Sequence, residues 1–287
     1  LLVVLGGIVC ITGASRGCPD WPACYGQLIP PMRLDSILEY THRVLAALTS
    51  LFIMASAVVG WRRSRSIRWV SWAPVIAVAL LLVVVVLGAM VVLRGLGPGL
   101  AALDLGSALM VLALMVAATV VALSRHSDPS LPGRLQLRTP FARLALGALV
   151  IVFLVLVSGV LVSIPGSSVR CLGWPLYGGQ LELVDARRWL QLARRLLAGG
   201  ASIAVVAVVL QAWRRQATLR RSATVMGTLF LAEILVGVLM LVGAPSVFLQ
   251  VVYVALAAAF WTSLVVLAVL AALAPSSAPA ADSSVAA

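Results

Sequence analysis

Long apolar runs separated by short polar segments make up most of the chain. A helix that crosses a bilayer needs about 20 mostly apolar residues. Eight runs approach or reach that length, at roughly residues 1–15, 37–60, 70–93, 99–124, 141–164, 189–213, 222–244 and 247–274. The first is too short to span, and because the chain does not begin with Met, we expect further residues upstream. The pattern predicts an all-α integral membrane protein with eight transmembrane helices.

The composition agrees with this pattern. Of the 287 residues, 62% are hydrophobic and 10% are charged, and the mean hydropathy is +1.12. The core of a soluble protein of this length does not need so much apolar surface. The lipid bilayer is therefore the first partner that the sequence predicts.

The positive charge is concentrated in three loops. The net charge is +12, all 21 basic residues are Arg, and many lie within residues 62–68, 125–138 and 214–221. With eight spans these loops face one side, which the positive-inside rule makes the cytoplasm. This distribution excludes nucleic acid as a partner. We expect a multi-pass protein of a bacterial plasma membrane with both termini in the cytoplasm.

A short cysteine-containing segment, "CPDWPACYGQL" from Cys18, precedes the second run. The predicted topology places this segment outside, where disulfides persist. Cys18 and Cys24 are close enough in sequence to close a small loop by a disulfide. A metal-binding pair is the alternative, although no nearby His or third Cys completes such a site. Cys10 lies within an apolar run, where we expect a buried hydrophobic side chain and not a ligand.

The same frame recurs later as "CLGWPLYGGQL" from Cys171, with Trp-Pro and Gln-Leu at the same spacing from the cysteine. Tyr177 stands where the first copy has Cys24, so we expect Cys171 to be unpaired. An even number of spans in each copy predicts parallel repeats related by an axis along the membrane normal.

The repeat divides the chain into two halves of four helices. We predict a first half at residues 1–124, a cytoplasmic linker at 125–140 and a second half at 141–274. The remaining residues, 275–287, are rich in Ala, Ser and Pro, and we expect them to be disordered.

The Cys-Pro-Asp-Trp-Pro-x-Cys loop, the "GQLIPP" after it and the "EYTHR" at 39–43 resemble the heme A synthases (CtaA-like proteins) of aerobic respiratory chains. The resemblance implies a His on the second and fourth spans of each half, an axial pair for one heme. It implies that the first pair holds the substrate heme O and the second a heme b cofactor. It also ties Glu39 to oxidation of a heme methyl to a formyl group, and the outside cysteines to redox chemistry or heme delivery.

Three of the four implied ligand positions do not carry His. His42 fills the first, but Asp104, Arg194 and Tyr253 stand at the others, and the remaining His of the chain, His126, lies in the linker. Bis-His ligation is therefore excluded in both halves. We expect zero or one heme per chain, held in the first half through His42, and none in the second half.

The first-half residues allow two interpretations. Glu39 and His42 share one helix face and form either a heme site or a solvated helix start, where the helix dipole favours Glu. In the heme interpretation Arg43 pairs with a propionate. Asp104 needs a partner at its depth, either Arg94 or a water-filled pocket that faces His42. Carboxylate is a poor heme ligand, so Asp104 is not assigned to iron.

Glu233 is the deepest charge of the second half and also needs a partner. One possibility is an Arg194–Glu233 pair that fills the space of a lost heme. The other is a protonated Glu233 hydrogen-bonded to a backbone carbonyl. Tyr253 could ligate iron as a phenolate, but with Arg194 opposite we favour packing.

Two functions follow. The first is a heme-modifying oxidoreductase of the heme A synthase type, linked to conversion of heme O to heme A and to cytochrome oxidase assembly. The ligand losses leave substrate electrons without an evident carrier. The second is a degenerate paralogue that serves as a non-catalytic accessory or assembly subunit of a respiratory or photosynthetic membrane complex.

Overall fold

The fold is built from helices. A computed structural model describes residues 1–95, 97–162, 186–243 and 246–274. Within those ranges no strand is formed, and a single bridge joins Cys24 to Gln27. A short 3-10 turn covers Ala14–Arg16, and the α-helices are α1 (Leu2–Ile11), α2 (Leu34–Arg63), α3 (Arg68–Arg94), α4 (Pro98–Ser127), α5 (Pro140–Val162), α6 (Ala186–Trp213), α7 (Ala217–Val242) and α8 (Val247–Leu273).

Seven of these helices, α2 to α8, are long and apolar enough to cross a membrane. Helix α1 has 10 residues, about half of what a bilayer crossing requires. A helix satisfies its backbone hydrogen bonds internally, which is why apolar runs in lipid adopt it. The protein is thus an all-α, multi-pass membrane protein, as predicted. An eighth spanning helix is not found in the described part of the chain.

Local signals set several helix ends. Pro98 occupies the first turn of α4, where its fixed φ suits a helix start and its missing N–H is not needed. Helix α3 ends at Gly95, whose φ of 71° favours glycine. Ser246 caps α8 by accepting a hydrogen bond from the Leu249 N–H at 3.3 Å.

The largest buried cluster is formed by residues of the five helices α4 to α8. Trp261 of α8 is almost fully buried there, and its ring N–H donates to the Leu109 carbonyl of α4 at 3.2 Å. The Phe153 ring of α5 lies 5.8 Å from the Trp261 ring, centroid to centroid. These contacts join the N-terminal helices to the C-terminal ones.

Helix α1 packs between α2 and α8 through two consecutive glycines. A Cβ at Gly6 would lie 3.2 Å from Cε1 of His42, and one at Gly7 would collide with Val254. Small residues allow such close helix approach in membranes. The His42 ring therefore lies directly against α1.

The prediction for Cys10 is wrong. Its side chain is exposed at the last turn of α1, and its sulfur is disulfide-bonded. The predictions for Cys171 and for residues 275–287 fall outside the described residues.

Candidate functional site

The predicted disulfide is present. Cys18 and Cys24 are joined with a Cα–Cα distance of 4.8 Å, and both residues are 0% exposed. The loop that they close lies against the N-terminal turns of α2. Gly17 makes this approach possible, because a Cβ at that position would overlap the backbone of Asp35. Ser36 Oγ donates to the Gly17 carbonyl at 2.7 Å and fixes the contact.

Asp20 organises the tip of the loop. Its carboxylate accepts hydrogen bonds from the N–H groups of Tyr25 and Gly26, each at 2.6 Å. Both residues have positive φ, 56° and 65°, so their amides turn toward the same side chain. These bonds, that of Gly26 first, lower the pKa of Asp20 below its ordinary 3.8. The carboxylate is therefore charged at neutral pH.

Glu39 and Arg43 form an ion pair one helical turn apart on α2. Their side chains are 5% and 13% exposed. The other Glu39 oxygen, Oε2, accepts a hydrogen bond from the Cys18 N–H at 2.9 Å. The Glu39 carboxylate is thus buried and held on both oxygens, unlike the solvated helix start that the sequence left open.

Arg43 points to the loop. Its guanidinium donates to the carbonyls of Asp20 at 2.7 Å and Ala23 at 2.6 Å. In the heme interpretation of the sequence, Arg43 pairs with a propionate. In the structure its guanidinium is directed to carbonyls of the disulfide loop.

His42 lies on the Glu39 face of α2 and is half-buried. Its Nδ1 is buried and has no hydrogen-bond partner among the described residues. Buried polar atoms almost always have a partner, so this imidazole has capacity for a ligand. The ring is fixed on one side by Gly6 of α1.

Asp104 of α4 also has a buried polar atom. Its Oδ1 is buried without a partner among the described residues. The expected pairing with Arg94 is not formed, since the ion pairs of the described part are Arg33–Asp35 and Arg43–Glu39. The family resemblance groups Glu39, His42 and Arg43 of α2 with Asp104 of α4, and we call these four residues the α2–α4 site.

A second polar group, which we call the α8 cluster, contains Arg194, Glu233, Gln250 and Tyr253. Tyr253 lies near enough to both Glu233 and Arg194 to interact with them electrostatically. This tyrosine thus brings together polar groups from α6, α7 and α8. Tyr253 is buried and packs against Met240 of α7.

Sequence reasoning missed Gln250, Gly6 and Ser36. Gln250 is buried one turn before Tyr253 on the same face of α8, and a polar residue in so apolar a helix was the available signal. No local signal pointed to Gly6 or Ser36, because their partners come from other segments.

The two groups differ in their fit to a heme. A heme needs an apolar slot and at least one good axial ligand. Histidine is a common axial ligand of heme, so His42 meets the chemical requirement for one. The α8 cluster does not fit, because a buried cation beside the iron would oppose its charge. Apart from heme, no group of three or more His, Cys, Asp or Glu that could hold a metal ion occurs in the described residues.

Comparison with known proteins identifies the family of the chain. Residues 32–265 match the family model COX15-CtaA, described as cytochrome oxidase assembly protein. A heme A synthase of Bacillus licheniformis is 27% identical over 202 residues, which cover 69% of this chain and 67% of the relative. A heme A synthase of Staphylococcus aureus is 29% identical over 199 residues, or 68% and 65%. The matches thus span about two thirds of these relatives. Since the family match covers most of the chain, the protein belongs to the COX15-CtaA family, that of the heme A synthases.

Proposed function

We propose that the protein is a heme A synthase-like membrane protein that binds one heme in its first half, through His42. The observation that carries the proposal is the position of His42, on the Glu39 face of α2 and against Gly6 of α1. His42 stands beside the Cys18–Cys24 loop and Glu39, at the position where the family resemblance implies an axial ligand. In this proposal the protein takes part in conversion of heme O to heme A and in cytochrome oxidase assembly.

The depth of Asp104 supports a shared site. His42 lies 8 residues after the start of α2, and Asp104 lies 6 residues after the start of α4. At about 1.5 Å per residue the two differ in depth by only about 3 Å. Helices α2 and α4 begin at the same end of the bundle, because α3 runs between them in the opposite direction. Asp104 would then hold water or a polar edge of the heme, and His42 the iron.

The helix contacts support the two predicted halves, residues 1–124 and 141–274. The contacts α1–α2, α2–α3 and α3–α4 correspond to α5–α6, α6–α7 and α7–α8, and α1–α8 corresponds to α4–α5. Such a pattern is what a two-fold axis near the membrane normal produces. The three Arg-rich loops lie at one end of these helices, which supports a cytoplasmic face in a bacterial plasma membrane and an outside disulfide loop.

The protein's own residues would act mainly by binding and shielding. A bound heme supplies a redox-active iron. His42 would ligate the iron, while α1 and the disulfide loop would shield the imidazole ring of His42 from two directions. Glu39 is the family's candidate for the oxidation step. Because donors hold both of its oxygens, it would act as a fixed negative charge.

A second candidate function rests on the α8 cluster. Arg194, Glu233 and Tyr253 take the place of the cofactor pair that the resemblance implies, so the second half would hold no heme and electrons from substrate oxidation would have no evident carrier. This favours a non-catalytic accessory or assembly subunit of a respiratory or photosynthetic complex, which retains heme contact through His42.

The heme content of the purified full chain tests both candidates. We expect one heme per chain in cells that make heme O, complete loss in His42→Ala and no loss in His126→Ala. The second variant is a matched control, because the chain has 2 His and His126 is exposed. Heme A among the extracted pigments would favour the enzyme, and unmodified heme alone the accessory subunit. Two hemes per chain, or heme retained in His42→Ala, would contradict the proposal.

A further inference from the structure

Backbone carbonyls of the disulfide loop converge on one guanidinium. Arg43 donates to the carbonyls of Asp20 and Ala23 at 2.7 and 2.6 Å, and it approaches those of Cys18 and Pro22 at 3.5 Å. All of these carbonyls lie within the ring that the disulfide closes. A planar guanidinium presents several donors in a fixed fork and can serve many acceptors at once, as an ammonium cannot.

Glu39 holds the other side of this arrangement. One oxygen accepts from Arg43, and the other accepts from the Cys18 N–H at 2.9 Å. Two side chains one turn apart on α2 therefore bind both the N–H and the C=O groups of a single loop. Buried hydrogen bonds to charged groups are stronger than neutral ones.

We propose that Arg43 is a positioning residue that clamps the Cys18–Cys24 ring onto α2, with Glu39 as its anchor, and thereby controls attack on the disulfide. The clamp involves contacts within the chain alone, so it does not depend on the proposed heme binding. It assigns Arg43 to the loop and not to a propionate.

The burial of the sulfurs connects the clamp to reactivity. Both cysteines are 0% exposed, and Cys18 Sγ lies against the Ser36 carbonyl at 3.8 Å. In exchange, an external thiolate must reach one sulfur, form a new S–S bond and displace the other sulfur as a thiolate. With dithiothreitol, its two thiols become a cyclic disulfide while Cys18 and Cys24 gain two electrons and two protons. This attack requires the ring to lift from α2.

A second ion pair near the same helix end provides the control. Arg33 and Asp35 also pair, but their side chains are 64% and 37% exposed, against 13% and 5% for Arg43 and Glu39. Exposed pairs contribute little to stability, and within the part of the chain that the structure describes the Arg33 guanidinium donates to Asp35 and not to a carbonyl of the ring. Loss of either arginine removes the same charge, so a difference between the variants isolates the clamp.

The experiment measures reduction of the disulfide in the full chain in lipid nanodiscs. Samples treated with dithiothreitol are quenched by alkylation at set times, and mass spectrometry of the Cys18 and Cys24 peptides gives the rate. We expect Arg43→Gln to be reduced at least about tenfold faster than wild type, since removing one partner of a buried pair is strongly destabilising. Arg33→Gln should stay within about twofold of wild type, because its pair is exposed.

Equal rates in Arg43→Gln and wild type, or an equal acceleration by Arg33→Gln, would overturn the proposal. The rate of global unfolding is measured in parallel by tryptophan fluorescence. If Arg43→Gln accelerates global unfolding by the same factor as disulfide reduction, the proposal is also overturned. If Arg43→Gln does not fold, the reduction rate of Arg43→Lys is measured in its place. Lys keeps the charge but lacks the fork, so we expect faster reduction than in wild type, and an unchanged rate would contradict the clamp.

Discussion

The α2–α4 site and the α8 cluster contain the positions at which the family resemblance implies heme ligands, but their polar groups are used differently. In the first, Glu39 and Arg43 bind the disulfide loop, while His42 and Asp104 keep buried atoms without a described partner. In the second, Tyr253 interacts with both Glu233 and Arg194.

This difference distinguishes binding from packing. A buried polar group without a partner is unfavourable, so it marks where a ligand can restore the lost hydrogen bond or coordinate bond. A group whose members interact with one another fills its own space. We therefore expect one half to be suited to a ligand and the other to be closed around side chains.

The largest expected effect is in the α8 cluster. Arg194→Ala should lower the free energy of unfolding by about 3–5 kcal/mol, because removing one member of a buried charged group leaves the others uncompensated. Unfolding in micelles, followed by tryptophan fluorescence, measures it. Arg195→Ala is the control, since the neighbouring residue is less buried. Equal losses for the two variants would show that the cluster does not depend on Arg194.

A smaller effect is expected from Tyr253→Phe. The change removes a buried hydroxyl that interacts with Glu233, and removing a polar partner of a buried group costs about 1–3 kcal/mol. Heme content should stay at the wild-type value. A loss of heme in this variant would place a heme in the second half and remove the distinction between the two groups.

In the α2–α4 site, removal of a charge should change the free energy of unfolding in the opposite direction. Asp104→Asn should leave the heme-free protein as stable as wild type or raise its free energy of unfolding by about 1 kcal/mol, since it removes an unpartnered buried carboxylate. The same unfolding assay in His42→Ala protein, which we expect to be heme-free, measures it. A loss of several kcal/mol would mean that Asp104 has a strong partner.

The smallest effect concerns pH. The Gly26 and Tyr25 amides lower the pKa of Asp20 below 3.8, so the charged form is favoured in the folded loop. The charged Asp20 therefore stabilises the folded loop at every pH above its pKa in the unfolded chain. This stabilisation is lost as the pH falls through its lower pKa in the folded loop. Disulfide reduction by a phosphine, which remains reactive in acid, should therefore accelerate by a few-fold below about pH 3.8, the ordinary value for this group. Asp20→Asn should remove this pH dependence, and an unchanged profile in the variant would contradict the assignment.

Several parts of the candidate site were predictable. The spacing of Cys18 and Cys24 indicated the disulfide, and the helical spacing of Glu39 and His42 placed both on one face of α2. Other features were not, because they depend on residues far apart in the chain. The Arg43 guanidinium meets carbonyls about 20 residues earlier, by an arrangement that exists only after the loop has folded onto α2.

The sequence by itself determined the class of the protein and its membrane helices. Long apolar runs can bury their backbone polar groups in lipid only as helices, and this constraint is local. The tertiary structure decided which buried polar groups have partners. That outcome depends on the rotation and depth of helices packed against one another, so Tyr253 meets Glu233, Arg43 meets the loop, and His42 is left against Gly6 with a nitrogen for a ligand.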